Sequence, residues 1–116
     1  MLAQTYVDWE WCLVDDASPN PKVREIMERL ARKDKRVRVV FRQANGGIVA
    51  ASQDGLDIAT GTFIALLDND DTLHPNSLNL VSATLDKDST IDYVYSDENK
   101  LDERGRPYDL FRKPAF

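Results

Sequence analysis

Two acidic clusters are the residues best placed to do chemistry. Asp15-Asp16 directly follows the apolar run Cys12-Leu13-Val14, and Asp68-Asn69-Asp70-Asp71 directly follows Ala65-Leu66-Leu67. Three carboxylates within four residues at the end of a buried strand repel one another unless something positive neutralises them. A hard divalent ion such as Mg²⁺ or Mn²⁺ would do so, because carboxylate oxygens suit it and one or two protein ligands leave room for substrate phosphates. A metal bridging two phosphates also stabilises the charge that builds on a departing nucleoside diphosphate. The plain alternative is a solvated loop that caps the helix starting near Pro75. For Asp15-Asp16 the alternative is a turn, since Ala17-Ser18-Pro19-Asn20-Pro21 is rich in turn formers.

Other candidates carry less by themselves. Asn45-Gly46-Gly47 precedes a helical pattern, which allows close backbone approach and anion contact at a helix N-terminus, but paired glycines are also plain turns. No Gly-Lys-Ser/Thr follows, so the segment is not a P-loop. His74 is the only histidine and reads equally well as an ordinary loop residue before Pro75. Cys12, the only cysteine, lies in an apolar run and reads as a packing residue. Trp9 and Trp11 share a face if a strand begins that early, with packing as their default role.

These residues need a scaffold. Four short runs rich in β-branched and aromatic residues predict strands at 10–14, 37–41, 62–67 and 91–95. The run Phe63-Ile64-Ala65-Leu66-Leu67 is continuously apolar, as in a central parallel strand covered on both faces. Val23, Ile26, Met27 and Leu30 predict a first helix with Asn20 as N-cap and Pro21 at its first position. A second helix is expected from Gly47 to Thr60, burying Ile48, Ala51, Leu56 and Ala59, with Gly61 as a left-handed cap. A third begins near Pro75 and presents Leu78, Val81 and Leu85. Alternating strands and helices imply an α/β fold with a mostly parallel sheet flanked by helices, in which both acidic clusters project from carboxyl ends of strands. Residues 96–116 differ: Glu103-Arg104-Gly105-Arg106-Pro107 predicts a turn, within a loop or hairpin over the sheet edge.

Composition narrows the classes. The chain has 116 residues, 42% hydrophobic and 30% charged, as expected of one globular domain. A net charge of -5 disfavours nucleic acid as a partner. The basic stretch from Arg29 to Arg36 reads as a solvated helix end, favourable to the helix dipole. No apolar run approaches a membrane span and the start lacks signal-peptide character, so the expected compartment is cytoplasmic.

Taken in order, Ala3-Gln4-Thr5-Tyr6, Val14-Asp15-Asp16-Ala17-Ser18, Asn45-Gly46-Gly47, the stretch from Ala59 to Asp71 and Tyr95-Ser96-Asp97-Glu98 resemble family 2 glycosyltransferases of the GT-A fold. The resemblance covers nearly the whole chain. It implies a Rossmann-like GT-A domain that transfers a sugar, with inversion, from a UDP- or dTDP-sugar to a glycan or lipid-linked acceptor, in cell-envelope polysaccharide biosynthesis. It implies Asp16, with Asp15, as a contact to base or ribose, and assigns Asn45, Gly46 and Gly47 to the donor nucleotide. Asp68 and Asp70 match the family's DxD motif: Asp70 as direct metal ligand, Asp68 nearer the ribose or a coordinating water, and Asp71 as helix cap or support. Asp97 and Glu98 would border donor sugar and acceptor.

The family begins with a strand ahead of the helix that finishes at Gln4-Thr5-Tyr6. The resemblance therefore implies a partial donor-binding domain over residues 1–116, starting inside that helix, with the first strand missing and the general base beyond Phe116. Such a fragment would be inactive alone, and its exposed sheet edges would close on each other or pair with a second copy. Two further readings stand beside this one: a non-catalytic nucleotide-binding or interaction module, and a receiver-type phosphoacceptor domain. The second fits less well, because a receiver wants one lone aspartate after its third strand and a lysine after its fifth.

Overall fold

The computed structural model describes residues 1–114 and divides into two compact units, Met1–Leu78 and a second from Asn79 onward. The first unit is built on a β-α-β arrangement: β1 (Trp11–Asp15), α1 (Pro21–Lys33) and β2 (Val37–Phe41), followed by α2 (Gly47–Ile58). β1 and β2 pair in parallel with Trp11 opposite Val37 and Asp15 opposite Phe41. Arg42 continues the ladder by donating its N–H to the Asp15 carbonyl at 3.0 Å.

The first helix forms as its sequence dictates. Asn20 is extended and its side chain accepts from Lys22 N, Pro21 opens the helix, and Arg32 and Lys33 occupy the last turn. Met27 is buried beneath it and Val37 is buried on β2.

α2 differs from expectation on two points. It ends at Ile58, and Ala59 is extended, so Gly61 is not a left-handed cap. Its inward face is also rotated: Ile48 and Leu56 are 77% and 50% exposed, while Ala51, Asp54, Gly55 and Ile58 are half-buried. The small residue decides this. A Cβ at Gly55 would lie 3.4 Å from Val14 Cγ2, so the helix settles onto β1 through its glycine, not its larger apolar residues.

Residues 62–67 and 91–95 do not form strands, a correction to the expected sheet. A strand exists by its ladder, and neither run hydrogen-bonds to a neighbour in that way. Leu66 is 88% exposed, so the apolar run is not covered on its faces either. The first residues are not helical: Met1–Gln4 make a single turn, Gln4 N donating to the Met1 carbonyl.

α3 (Ser77–Leu85) carries Leu78, Val81 and Leu85 on its half-buried face, as the spacing predicts. In the second unit, β3 (Glu98–Leu101) and β4 (Pro107–Phe111) form an antiparallel hairpin. The expected turn closes it. Asp102 accepts from the N–H groups of Arg104 and Arg106 and from Arg106 Nε, and Gly105 supplies φ +73.

Candidate functional site

Glu10, just before β1, anchors the segment that leads to the second acidic cluster. Its carboxylate accepts from Thr60 N and from Gly61 N (2.8 Å) and pairs with Arg38 at 3.2 Å. The Thr60 N–H is the main cause holding this carboxylate below its ordinary pKa. Arg38 also donates to the Ile58 carbonyl, one of the orphan acceptors at the end of α2. The two side chains together fix the exit of α2 against the start of β1.

At the carboxyl end of β1 the two aspartates separate in role. Asp15 is 6% exposed and accepts from Ser18 N at 2.9 Å, closing the turn that leads to α1. Ala17 within this turn takes φ 59, an uncommon conformation for a residue with a Cβ. Asp16 reaches across to α2: its Oδ1 accepts from Gly46 N at 2.9 Å and its Oδ2 from Gly47 N at 2.8 Å. Asn45 Nδ2 donates to the Asp16 carbonyl at 3.1 Å. The anion expected at the N-terminus of α2 is thus the protein's own carboxylate. The structure brings Asp16, Asn45, Gly46 and Gly47 into one cluster.

Arg42 belongs to this cluster and was not singled out by the sequence. Its Nε lies 2.9 Å from Asp16 Oδ1 as a charge contact without the angle of a hydrogen bond, and its Nη1 donates to Asp54 on α2. A Cβ at Gly46 would fall 2.6 Å from Arg42 Nη2, so the guanidinium fills space that the glycine leaves. The only sequence signal was its place, directly after β2 and three residues before Asn45.

The second acidic cluster is exposed throughout: Asp68, Asn69, Asp70 and Asp71 all face solvent. The crowding expected at the end of a buried strand is therefore absent, because water screens these carboxylates from one another. Asp71 N donates to the Asp68 carbonyl in a turn. The start of α3 is capped not by Asp71 but by Gln4, whose Oε1 accepts from Leu78 N at 3.1 Å while its Nε2 donates to the His74 carbonyl at 2.8 Å. Thr5 N donates to the Pro75 carbonyl at 2.8 Å. His74 Nδ1 accepts from Asn76 N, which makes it a turn residue. Gln4 and Thr5 thus hold the loop that follows the acidic run.

A cleft of about 450 Å³ lies between β1 and that loop, lined by Cys12, Val14, Leu67, Asp68, Asn69 and Asp71 among others. Asp15, Asp16 and Asp70 are not part of its lining. Burial raises the pKa of the Cys12 thiol, which suits a half-buried packing residue. Among the described residues no three His, Cys, Asp or Glu side chains gather closely enough to form a protein-only metal cage. A Mg²⁺ or Mn²⁺ ion that shares its shell with phosphates needs only one or two carboxylates. The donor chemistry of Asp68 and Asp70 fits that kind of ion.

In the second unit, Asp97 accepts from Lys113 N at 3.0 Å and Glu98 pairs with Lys113 Nζ at 3.1 Å. Both carboxylates serve to hold the segment that follows β4.

Residues 1–114 match the family described as Glycosyl transferase family 2. The chain belongs to that family. It is 46% identical over 114 residues to the uncharacterized protein y4gI of Sinorhizobium fredii, covering 98% of this chain and 12% of that protein. It is 35% identical over 114 residues to the O-antigen biosynthesis protein RfbC of Myxococcus xanthus, covering 98% and 9%. The chondroitin synthase of Pasteurella multocida is 35% identical over 104 residues, covering 90% and 11%. The family 2 chain spans about a tenth of the length of these relatives. No solved structure matches it. Membership carries the GT-A Rossmann-like fold, of which the parallel sheet with flanking helices is the visible part.

Proposed function

We propose that this family 2 chain forms the donor-nucleotide side of a glycosyltransferase, which moves a sugar from a UDP- or dTDP-sugar to a glycan or lipid-linked acceptor with inversion at the anomeric carbon. The observation that carries the reading is the family match over residues 1–114 together with the Asp16 cluster at the carboxyl end of a parallel pair, the edge where open α/β sheets bind ligands.

Within it, Asp16 is the contact to base or ribose. A carboxylate offers about four acceptor positions. Gly46 N fills one on Oδ1, with Arg42 Nε beside it as a charge contact, and Gly47 N fills one on Oδ2, which leaves an Oδ2 position for a ligand N–H or O–H. Gly46 and Gly47 act through Asp16 by fixing the plane of its carboxylate, Asn45 by holding its backbone carbonyl, and Asp15 by holding the turn. Asp70, with Asp68 beside it, holds a divalent cation whose chemistry is to neutralise the diphosphate as it departs. The general base is not assigned to any residue of this chain. The O-antigen role in the name of RfbC supports a cell-envelope polysaccharide as the product.

Calorimetric titration of UDP and of dTDP, with and without Mn²⁺, tests the reading on the native chain and on Asp70→Ala. Nucleotide binding should depend on the metal and weaken at least tenfold in the variant, the loss expected when a charged contact of about 1.5–3 kcal/mol is removed. Binding indifferent to both would refute it.

A further inference from the structure

The guanidinium of Arg42 sits between Asp16, whose position the nucleotide reading depends on, and Asp54 on the facing side of α2. We infer that Arg42 is the positioning residue of the nucleotide site: it sets the orientation of the Asp16 carboxylate without touching the nucleotide. The inference rests on the proposed function and adds to it a residue that no motif marked.

Four observations carry it. The backbone of Arg42 is fixed by its bond to the Asp15 carbonyl, so the side chain starts from the same ladder that ends in the two aspartates. Its Nε stands 2.9 Å from Asp16 Oδ1 and its Nη1 is bonded to Asp54, so one planar group ties the turn after β1 to the second turn of α2. Its Nη2 occupies the space beside Gly46 that any larger residue would close, so Gly46 admits the guanidinium as well as donating to Asp16. The Arg42 side chain is 21% exposed and those of Asp16 and Asp54 are 20% and 35% exposed, so the contacts are shielded more than surface pairs are.

The geometry favours arginine over any other cation. A guanidinium presents several N–H groups in a rigid plane and can face two carboxylates at once, whereas a lysine ammonium is a point charge on a flexible stem. Without the guanidinium, the two glycine amides alone would oppose rotation of the Asp16 carboxylate about Cα–Cβ toward solvent, with no charge beside Oδ1 to reinforce them. The Oδ2 position left for a ligand would then be presented over a range of directions, and pre-organisation for binding would be lost.

The test is UDP affinity in the presence of Mn²⁺, measured on the 116-residue chain well below its melting temperature, for Arg42→Met, Asp16→Asn and the double variant. Arg42→Met keeps the apolar stem and removes the fork. It should weaken UDP binding about tenfold in the native background and by less than about twofold in Asp16→Asn, because the effect travels through Asp16. A purely structural Arg42 would lower the melting temperature and leave the affinity unmoved, or lower it equally in both backgrounds, and either result would overturn the inference. If Arg42→Met does not fold, Arg42→Lys and Asp54→Asn replace it, each expected to cost several-fold in affinity through the weakened bridge; unchanged affinity in both would again overturn it. A native chain that failed to bind UDP at all would instead refute the nucleotide reading on which the inference stands.

Discussion

At the scale of the residue, the first acidic pair shows how adjacent side chains of one type take different work. Asp15 is buried in its turn and Asp16 spans to the glycine amides, a division that follows from alternation along an extended chain. The sequence made both candidates but could not assign them, because the partner of Asp16 lies 30 residues away at Gly46. Gly47 provides a direct check. It takes φ +77 with open space around it, so Gly47→Ala meets no steric neighbour and should cost about 1 kcal/mol through its backbone alone, read from chemical denaturation. Asp34 supplies a second. The Arg36 guanidinium, followed by the Arg36 N–H, holds its carboxyl well down, at about 2 against an ordinary 3.8. A depressed carboxylate pKa means the folded state binds its proton less readily than the unfolded one. The stabilisation is therefore complete above about pH 4 and is lost as pH falls toward 2. Asp34→Asn should flatten that part of an acid-unfolding curve, and added salt should shrink the difference between the two proteins.

At the scale of the element, legibility followed how local the determining forces were. Helix α1 carries its own cap, its own first-turn proline and its own apolar stripe, and the structure matches the sequence closely there. Helix α2 has no side-chain cap from its own N-cap residue, and Gly55 seats it against Val14, so periodicity alone pointed to the wrong face. The run at 62–67 reads as strand by composition, yet strand formation depends on a partner that composition does not name. The hairpin β3–β4 was announced by its turn. Gln4 was legible only as part of a motif, and its physical role is a clamp at the start of α3, bonded on both ends of its amide. Gln4→Ala should therefore destabilise the chain by about 1 kcal/mol and raise hydrogen exchange at the Leu78 amide more than at amides of α1.

At the scale of the whole molecule, the parallel pair and its helices give the α/β class that the alternating pattern implied, and residues 1–114 match the family that the order of motifs resembles. Among the described residues no helix is long and apolar enough to cross a membrane. The cluster around Asp16 and the acidic run at Asp68–Asp71 both belong to the unit Met1–Leu78, so the donor-site account can be tested on a single compact body. The most direct measurement is an NMR titration of the isotope-labelled chain with UDP and then with substoichiometric Mn²⁺. The account predicts shift changes on UDP addition centred on the amides of Asp16, Gly46 and Gly47, followed by paramagnetic broadening centred on Asp68, Asn69, Asp70 and Asp71. Broadening centred elsewhere, or UDP shifts that leave Asp16 and its glycine partners untouched, would contradict it.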